Sequence, residues 1–385
     1  MFTRLLQLPD HSFFVLGPRG TGKTTWLRTV LPDALWFDLL RTQILLTLTR
    51  RPESFRQQIE TRPHGTWVVV DEVQRLPALL NEVQALIVEH GRGYRFALSG
   101  SSARKLKRAD ANLLAGRAIN RQFYPLTAAE LGWDFELEQV LRFGLLPQVQ
   151  AEPSFAIDIL DAYVENYIRE EIQQEALVRN LASFSRFLEI AALMNGQVVN
   201  IAGLSRDAAV ARPTVQGYFG TLVDTLIGFW LPAWRKRVKV KEVASPKFYL
   251  FDSGVARALA GRSREPLERT ERGHLLETWV LHELRAAMSL HDTGGRLSYW
   301  RTPSGSEVDF IWTRGTRAIG IEVKAAADWR SQYGSSLKSL IEVGALQDGF
   351  GVYIGTTELK DGPVRVLPVR RFLDELSAGS VFSDK

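Results

Sequence analysis

Residues 17–24 read Gly-Pro-Arg-Gly-Thr-Gly-Lys-Thr and directly follow an apolar run at residues 12–16 (Ser-Phe-Phe-Val-Leu). The spacing G-x-x-x-x-G-K-[ST], between a strand and a helix, is that of a phosphate-binding loop. Its glycines let backbone N–H groups face the phosphates, while Lys23 reaches the β and γ oxygens and the Thr24 hydroxyl is placed to hold Mg²⁺. The helix that begins near Lys23 directs the positive end of its dipole at the same anion. The residues predicted to bind the nucleotide are Gly17, Pro18, Arg19, Gly20, Thr21, Gly22, Lys23, Thr24 and Thr25.

An unbroken apolar run at residues 67–72 (Trp-Val-Val-Val-Asp-Glu) ends in two acids. Such a run is typical of a central parallel strand whose carboxyl end faces the ligand crevice. Asp71 is predicted to hold Mg²⁺, directly or through water, and Glu72 to be the base that orients the attacking water. Acids after a strand also occur as plain helix caps, but the phosphate loop about fifty residues upstream favours the catalytic interpretation.

A third predicted strand, residues 94–98 (Tyr-Arg-Phe-Ala-Leu), runs into residues 99–102 (Ser-Gly-Ser-Ser). The chain continues with residues 114–117 (Leu-Ala-Gly-Arg) and 124–127 (Tyr-Pro-Leu-Thr). Together with the phosphate loop and the Val-Val-Val-Asp-Glu strand, this order resembles the AAA-type ATPases. More narrowly, it resembles the bacterial and archaeal group that carries a C-terminal domain of unknown function, the DUF4143 type. The resemblance covers nearly the whole chain and implies ATP and Mg²⁺ as cofactors and a homo-oligomeric ring, by analogy a hexamer.

The resemblance implies two further roles. The polar residue after the third strand is a nucleotide sensor in that family, and this role falls on Ser101, with Ser99 as its competitor. An arginine near the subunit edge acts on the neighbouring site, and this role falls on Arg117, because a guanidinium stays charged and bridges γ-phosphate oxygens. The alternative for Arg117 is an ordinary surface arginine, since the same stretch carries Arg104, Lys105, Lys107, Arg108 and Arg121.

Length and composition limit the remaining classes. A chain of 385 residues is too long for one core and predicts about two or three domains. It contains no cysteine, which excludes disulfides and thiolate metal sites. No apolar run reaches membrane-spanning length and residues 1–9 lack a signal-peptide core, so we expect a cytoplasmic protein without a membrane partner. The net charge of +5 permits a nucleic-acid partner without requiring one.

Changes of pattern divide the chain into four predicted parts, all within an α/β fold class. They are a P-loop ATPase core with a parallel sheet at 1–148, a helical lid or linker at 149–195, a winged helix at 196–260, and a nuclease-like α/β domain at 261–385. In the lid, the spacing of apolar residues predicts amphipathic helices over 155–175 and 183–194.

The winged-helix prediction rests on a short helix at 196–204, a second helix at 212–222 with a proline near its start, and two paired strands around a basic loop. In such folds the second helix enters the major groove and the wing contacts phosphates. The candidate DNA contacts of the second helix are Arg212, Thr214 and Gln216. Those of the wing, expected to contact mainly phosphates, are Arg235, Lys236, Arg237, Lys239 and Lys241. The alternatives are a solvated edge strand and a winged helix that binds protein.

The C-terminal region combines a predicted amphipathic helix at 275–284 with three predicted strands, the last two joined by a short turn. This turn brings Asp309 and Glu322 near one another. Alternation of period two places Glu322 and Lys324 on one face of their strand, with Val323 in the core. One or two Mg²⁺ ions fit between such carboxylates, with Lys324 steadying the attacking hydroxide or the scissile phosphate.

This pattern resembles the core of the PD-(D/E)xK nucleases. The resemblance makes Glu277 the helical acid, Asp309 the metal aspartate, and Glu322 with Lys324 the E-x-K pair. The chain has Glu-Val-Asp at residues 307–309 where the family name puts Pro-Asp. The alternative is a nuclease-like fold that only binds DNA or stabilises a ring.

These patterns predict a Mg-dependent ATPase, and the resemblance to the AAA type implies that it assembles into a ring. We expect it to use ATP hydrolysis to remodel or translocate on double-stranded or branched DNA, with DNA cleavage as a subordinate hypothesis. Two alternatives stay open: a signal-transduction NTPase whose nucleotide exchange switches assembly, and a DNA-binding regulator with slow hydrolysis. A motor predicts turnover stimulated by DNA, whereas a switch predicts slow turnover that is indifferent to DNA.

Overall fold

The protein is described by a computed structural model. The residues that it describes are 2–102, 114, 116–168, 181–235 and 245–383. Within these ranges the residues group into an N-terminal unit, 3–125 with 224–227, and a C-terminal unit, residue 2 with 126–223 and 228–383. The chain thus leaves the N-terminal unit at Pro125, earlier than residue 148, because side chains such as Leu126 and Val140 belong to the core of the C-terminal unit. The predicted divisions at 195 and 260 fall within the C-terminal unit and stay predictions.

A parallel sheet forms the centre of the N-terminal unit. Its strands are β1 (Phe13–Leu16), β2 (Leu35–Asp38), β3 (Thr66–Asp71), β4 (Tyr94–Gly100) and β5 (Ile119–Gln122). Its helices are α1 (Lys23–Val30), α2 (Thr42–Arg50), α3 (Glu53–Glu60) and α4 (Leu79–His90), with a 3₁₀ turn at Val73–Arg75. The strand order is β2-β3-β4-β1-β5 and every pairing is parallel. This confirms the predicted α/β class and brings the carboxyl ends of β1, β3 and β4 to one edge of the sheet.

Both faces of this sheet are covered, which explains why its strands are apolar throughout rather than alternating. On one face, Phe13 and Val15 pack with Trp26 of α1. On the other face, Phe14 packs with the side chains of α2, α3 and α4. The residues of the run Val68–Val70 are fully buried, because successive side chains enter opposite layers of the core. Each such side chain contributes about 1.5–3 kcal/mol through the hydrophobic effect.

The C-terminal unit contains a mixed sheet and a separate hairpin. Its strands are β6 (Gly228–Leu231), β7 (Lys247–Leu250), β8 (Arg296–Arg301), β9 (Glu307–Arg314), β10 (Arg317–Lys324), β11 (Asp348–Tyr353), β12 (Leu359–Asp361) and β13 (Val364–Pro368). The six-stranded sheet has the order β12-β13-β11-β10-β9-β8, and β6 pairs with β7 in the antiparallel hairpin. The predicted strands of this region are confirmed.

Helices surround these strands. They are α5 (Leu137–Phe143), α6 (Pro147–Ala151), α7 (Ala156–Ala162), α8 (Leu181–Leu193), α9 (Ile201–Asp207), α10 (Arg212–Asp224), α11 (Ser253–Leu259), α12 (Arg269–Leu290), α13 (Ser335–Glu342) and α14 (Val369–Ser377). Shorter helical turns occur at Pro153–Phe155, Tyr163–Ile168 and Ser331–Gly334. No helix in the described ranges combines the length and the apolarity that a membrane crossing needs.

Two predicted helices differ from the structure. The helix predicted over 155–175 begins at Ala156 and continues after Ala162 as a turn of π-helix, and residues 169–180 lie outside the described ranges. The helix predicted from residue 196 begins at Ile201. The reason is a cap: the Asn200 side chain accepts hydrogen bonds of 3.1 Å from the backbone N–H groups of Ala202 and Gly203.

The elements α9, α10, β6 and β7 follow one another in the order of a winged helix. An aromatic cluster holds α10 on the hairpin: the Phe219 ring centroid lies 4.6 Å from that of Phe248 and 4.8 Å from that of Trp230. Offset and edge-on aromatic pairs contribute about 0.5–1.5 kcal/mol beyond their burial. Residues 236–244, which contain most of the predicted wing, lie outside the described residues.

Layers of helix cover both faces of the mixed sheet. Ile321 and Val323 of β10 pack with Trp279 of α12 in one cluster. Leu337 of α13 lies in the cluster on the other face. Gly320 permits this approach, since a Cβ at this position would collide with the Leu337 side chain. The core therefore fixes which face of β10 carries both Glu322 and Lys324.

One carboxyl is buried in this core. Glu283 of α12 is 6 % exposed, and its Oε1 accepts hydrogen bonds from the Ala128 backbone N–H (2.8 Å) and from Trp279 Nε1 (3.0 Å). Burial raises the pKa of Glu283 to about 8; the two hydrogen bonds lower it in part and the charge of Glu130 raises it. The folded protein thus keeps this carboxyl protonated up to about pH 8, whereas the ordinary pKa is 4.5.

This raised pKa predicts a pH-dependent stability. The contribution of Glu283 is fully present below pH 4.5 and is lost as the pH rises through about 8. Glu283→Gln keeps an acceptor oxygen and removes the ionisable group, so we expect it to raise the free energy of unfolding at pH 8.5 by about 1–2 kcal/mol. Denaturant unfolding at pH 5 and pH 8.5 measures the effect. Glu189→Gln, at an exposed glutamate of α8, is the matched control. An equal pH dependence of wild type and Glu283→Gln contradicts the prediction.

Candidate functional site

The phosphate-binding loop connects β1 with α1. Gly20 and Gly22 have φ angles of +80° and +91°, in the left-handed region that favours glycine. Gly17 packs against Phe123, the residue after β5, where a Cβ would collide with the Phe123 carbonyl oxygen. The glycines of the motif are therefore required by two different constraints, the turn of the loop and its close approach to the neighbouring chain segment.

Lys23 is buried at the first turn of α1. Its Nζ donates hydrogen bonds to the carbonyl oxygens of Gly17 (2.8 Å) and Pro18 (3.0 Å), so the ammonium group lies inside the loop. Outside the motif, Arg4 supports the same loop: its Nη1 donates to the Thr21 carbonyl oxygen at 2.7 Å. The Arg4 guanidinium also lies 4.2 Å from the ring centroid of Phe123. The segment before β1 thus contributes to the loop.

Thr24 and Asp71 meet at the carboxyl edge of the sheet. Thr24 Oγ1 donates a hydrogen bond of 2.8 Å to Asp71 Oδ2, and Ser99 Oγ contacts Asp71 Oδ1. Burial raises the pKa of Asp71 above its ordinary value, while the hydrogen bonds from Ser99 and Thr24 lower it in part. A hydroxyl and a buried carboxylate form a hard oxygen donor set of the kind that Mg²⁺ prefers. A divalent cation at this point would offset the charge that burial disfavours.

Glu72 follows Asp71 and is half-buried. Its φ of +58° is left-handed, a conformation that costs a residue with a side chain about 1–2 kcal/mol. Ser101 Oγ donates to Glu72 Oε2 at 3.1 Å, and Gln74 Nε2 contacts the same oxygen and donates to Ser101 Oγ at 3.0 Å. Side chains from the ends of β3 and β4 therefore hold the Glu72 carboxylate in one orientation.

A second group of ionisable residues lines a cavity of about 800 Å³ in the C-terminal unit. Elements of the hairpin, of α12 and of the mixed sheet contribute to it. Its acidic and basic residues are Lys247, His274, Glu277, Arg301, Glu307, Asp309, Glu322 and Lys324. The rim carries hydroxyl groups from the β8–β9 turn and from the start of α13.

One half of this cavity contains Asp309, Glu322 and Lys324. Asp309 Oδ2 accepts a hydrogen bond of 2.8 Å from the Val323 backbone N–H, and Lys324 Nζ lies 3.7 Å from the same oxygen. Lys324 Nζ also contacts Glu322 Oε1. Burial, followed by the charge of Asp309, raises the pKa of Glu322 well above its ordinary value. The other oxygen, Glu322 Oε2, is buried without a hydrogen-bond partner among the described residues.

The other half contains Glu277, Glu307 and Lys247. Lys247 Nζ lies 2.6 Å from Glu307 Oε1 and 3.9 Å from Glu277 Oε2. The Tyr249 hydroxyl donates to Glu277 Oε2 at 3.4 Å. Burial and the charge of Asp309 raise the pKa of Glu277 to about 8, although Lys247 lowers it in part. Burial would lower the pKa of Lys247, but the carboxylates of Glu277, Asp309 and Glu307 raise it above its ordinary value.

Three family models match successive parts of the chain. Residues 10–132 match an AAA domain. Residues 134–266 match a domain of unknown function (DUF8612), and residues 272–372 match a domain of unknown function (DUF4143). The chain has an AAA-type ATPase domain and a C-terminal DUF4143 domain. The resemblance that its motifs indicated is confirmed.

Two curated relatives match over most of this chain. The chain is 29% identical over 315 residues to the uncharacterized protein Rv2008c of Mycobacterium tuberculosis, a match that covers 80% of this chain and 69% of that protein. The uncharacterized protein Mb2031c of Mycobacterium bovis matches with the same identity and coverage.

Two solved structures have a lower similarity. A variant of RuvB from Thermotoga maritima has a TM-score of 0.32 and 16% identity, covering 58% of this chain and 82% of that chain. The ORC2 protein of Aeropyrum pernix, in its ADP form, has a TM-score of 0.33 and 11% identity, covering 66% and 89%. These TM-scores and identities are too low to support a conclusion about this chain. The AAA assignment therefore rests on the family match and on the observed sheet.

The AAA domain brings most of its predicted site residues together. Lys23, Thr24, Asp71 and Glu72 lie at the carboxyl edge of the sheet, with Ser99 and Ser101 at the end of β4. Arg117 lies before β5 and is exposed. The sequence analysis missed Gln74 and Arg4. For Gln74 a signal existed, because a polar residue so close to the paired acids would face the same edge.

In the DUF4143 domain, Glu277, Asp309, Glu322 and Lys324 line one cavity, and their role in a nuclease-like site stays a prediction. Sequence analysis missed Lys247 and Glu307, which line the same cavity. In the candidate DNA-binding helix α10, Arg212, Thr214 and Gln216 are exposed, and so is Arg235 after β6. The remaining wing residues, Lys236, Arg237, Lys239 and Lys241, lie outside the described residues.

The network around Glu72 predicts that Gln74 is a positioning residue. Gln74→Ala removes the amide that contacts Glu72 and Ser101, so the carboxylate loses its fixed orientation. A hydrogen bond worth about 1 kcal/mol corresponds to a fall in kcat of about 5–10-fold, with the affinity for ATP unchanged. Steady-state hydrolysis together with nucleotide-binding titration measures both quantities. Gln57→Ala, at an exposed glutamine of α3, is the control. A loss of ATP affinity without a change in kcat contradicts this role.

Proposed function

We propose that the AAA domain hydrolyses ATP in a Mg-dependent reaction. The observation that carries the proposal is the 2.8 Å hydrogen bond between Thr24 Oγ1 and Asp71 Oδ2, because it joins the phosphate loop to the acidic strand end. Thr24 and Asp71 would hold Mg²⁺, which would neutralise phosphate charge when bound with ATP. Lys23, already inside the loop, supplies a fixed positive charge for the β and γ oxygens.

In this proposal Glu72 orients the attacking water and accepts its proton. Glu72 is half-buried, so the residue keeps partial access to solvent. Ser101 is the better candidate for the nucleotide sensor, because it donates to Glu72 Oε2. Its competitor Ser99 contacts Asp71 and accepts from the Glu72 backbone N–H at 3.1 Å, so its hydroxyl supports the strand ends.

The wider proposal is that this ATPase assembles into a ring, by family resemblance a hexamer, and remodels or translocates on DNA in the cytoplasm. The exposure of Arg117 is compatible with its acting on a neighbouring subunit's nucleotide. The proposed contact with DNA is supported by the burial pattern of α10. Val215 and Tyr218 are buried, whereas Arg212, Thr214 and Gln216 are exposed to solvent. An exposed polar face on the second helix of a winged helix is the surface that such folds place in the major groove.

Hydrolysis with and without DNA tests this proposal. We expect linear duplex or four-way junction DNA to raise the steady-state rate of ATP hydrolysis several-fold, since a motor couples turnover to its track. Glu72→Gln should lower the rate by about 100-fold or more, because the base is lost while nucleotide binding is kept. A slow rate that DNA leaves unchanged would instead favour an NTPase switch, and the search for a partner would turn to proteins.

A pair of variants tests the proposed DNA surface. Arg212→Ala combined with Gln216→Ala should remove most of the DNA stimulation and reduce the salt dependence of DNA binding. Arg206→Ala, at an exposed arginine of α9, is the matched control and should retain both. Equal stimulation in the double variant and the control would assign DNA contact to another surface.

The DUF4143 domain supports a second candidate function, Mg-dependent DNA cleavage. The observation that favours it is the buried, unpartnered Glu322 Oε2 beside Asp309 and Lys324, as far as the described residues extend. An unpaired buried oxygen among carboxylates fits a cation ligand. Asp309 and Glu322 would hold the ion, with Glu277 across the cavity, and the ion would supply Lewis-acid activation. Lys324 would then be free to orient the attacking group or the phosphate.

Cleavage is tested with Lys324→Ala. We expect wild-type protein to nick duplex or branched DNA with Mg²⁺, and Lys324→Ala to lose at least about 100-fold of this rate while it retains ATP hydrolysis. Lys360→Ala, at an exposed lysine of β12, is the control. Failure of the wild type to cut linear, forked and four-way DNA would leave a nuclease-like fold without cleavage.

A further inference from the structure

Lys247 is a buried lysine that the cleavage hypothesis does not use. It belongs to β7 of the hairpin and is 4 % exposed, yet it lines the cavity of the DUF4143 domain. Its ammonium group lies 2.6 Å from Glu307 Oε1 and 3.9 Å from Glu277 Oε2, and 5.2 Å from the ring centroid of Tyr299. A buried ammonium is costly unless charged partners compensate it. Its position is therefore tied to these two carboxylates.

The two halves of the cavity differ in how their carboxylates are satisfied. In the half with Lys247, Glu307 has cations on both oxygens, since Arg301 Nε lies 3.7 Å from Oε2. Glu277 Oε2 in the same half has both Lys247 and the Tyr249 hydroxyl. In the other half, Glu322 Oε2 is buried without a partner among the described residues. Among these carboxylates, the oxygen that a bound cation would satisfy is therefore Glu322 Oε2.

The formal charges of the lining point in the same direction. Four carboxylates face two ammonium groups and one guanidinium group, which gives a net charge of −1 when these seven groups are ionised and His274 is neutral. Burial, followed by the charge of Lys247, lowers the pKa of His274 and so favours its neutral form. One divalent cation would change this sum to +1, and two would change it to +3. Like charges in a partly buried cavity repel strongly, so the second ion is disfavoured.

Removal of Lys247 changes this balance. The lining would then carry −2, so that one divalent cation would bring the sum to 0 and two would bring it to +2. A second ion would therefore meet less repulsion than it does in the wild type. Glu277 and Glu307, no longer paired with an ammonium group, would also offer oxygen ligands to it.

We propose that Lys247 occupies the place of a second divalent cation, so that the cavity binds one ion, held by Asp309 and Glu322. Lys247 is then a positioning residue: it pairs with Glu277 and Glu307, and these carboxylates are therefore not available as ligands of the ion. The hairpin of the winged helix thus supplies part of the DUF4143 site. This inference rests on the cation site proposed above, and it adds the number of ions and the residue that sets it.

Cation binding to the full-length protein tests the inference without reference to activity. Isothermal titration with Mn²⁺, without nucleotide, gives the number of ions per chain. Asp309→Asn identifies ions bound in the cavity, since an ion elsewhere, for instance at the group of Glu60, Glu89 and His90 in the N-terminal unit, is unaffected. We expect Asp309→Asn to lose one ion relative to wild type, and Lys247→Met to bind one ion more than wild type.

A matched variant and a compensating variant complete the design. Lys338→Met removes a lysine that pairs with Asp361 at 3.0 Å, and it should leave the ion count unchanged. Lys247→Met combined with Glu307→Gln restores the formal charge of the cavity, so its count should return to that of the wild type even where Lys247→Met alone fails to fold. Circular dichroism checks the fold of each variant.

The outcomes distinguish the role of Lys247 from the existence of the cation site. A wild-type cavity that binds two ions, or a Lys247→Met count equal to that of the wild type, overturns the role of Lys247 and leaves the cation site standing. If Asp309→Asn loses no ion, the cation site itself is overturned, and the inference with it. One ion in the wild type, two in Lys247→Met and one in the double variant would support it.

Discussion

The alignment of parallel strand ends is the constraint on which the AAA domain depends. Because β1, β3 and β4 run in one direction, the phosphate loop, the paired acids and the serines at the end of β4 meet at one edge. The Thr24–Asp71 hydrogen bond is the direct contact between the first two of these elements. Apolar side chains on both faces fix the strands, so the polar residues that follow them have little freedom of position.

The two domains hold buried acids in different ways. Asp71 is stabilised by hydroxyl donors, Ser99 and Thr24, which leave its negative charge available to a cation. In the DUF4143 cavity, ammonium groups lie directly among the carboxylates. Burial raises the pKa of acids in both places, but lysine partners offset the cost only where their geometry is good. Under the functions proposed above, the first site would need a cation, whereas in the second a lysine would take the place of one.

Local sequence patterns predicted the elements well where one physical signal dominated. The Val68–Val70 run predicted a buried strand, and alternation in β10 predicted that Val323 would face the core. Boundaries were less certain where two signals competed. Asn200 caps α9 and so moves its start to Ile201, and the helix after Ala156 changes to a π-turn near Tyr163. Apolar side chains of residues 126–148, such as Leu126 and Val140, pack in one core cluster with side chains of α12. No local sequence pattern indicates this contact.

The sequence by itself determined the phosphate loop, the acidic strand end and the E-x-K strand, because each depends on residue types at fixed local spacing. Only the tertiary structure decided that Gln74 and Ser101 hold Glu72, and that Lys247 lies within reach of Glu277 and Glu307. These contacts join residues whose separation along the chain carries no periodic signal. They arise when hydrophobic burial brings separate elements together, and the charge that each element carries is then compensated by whichever partner the packing places beside it.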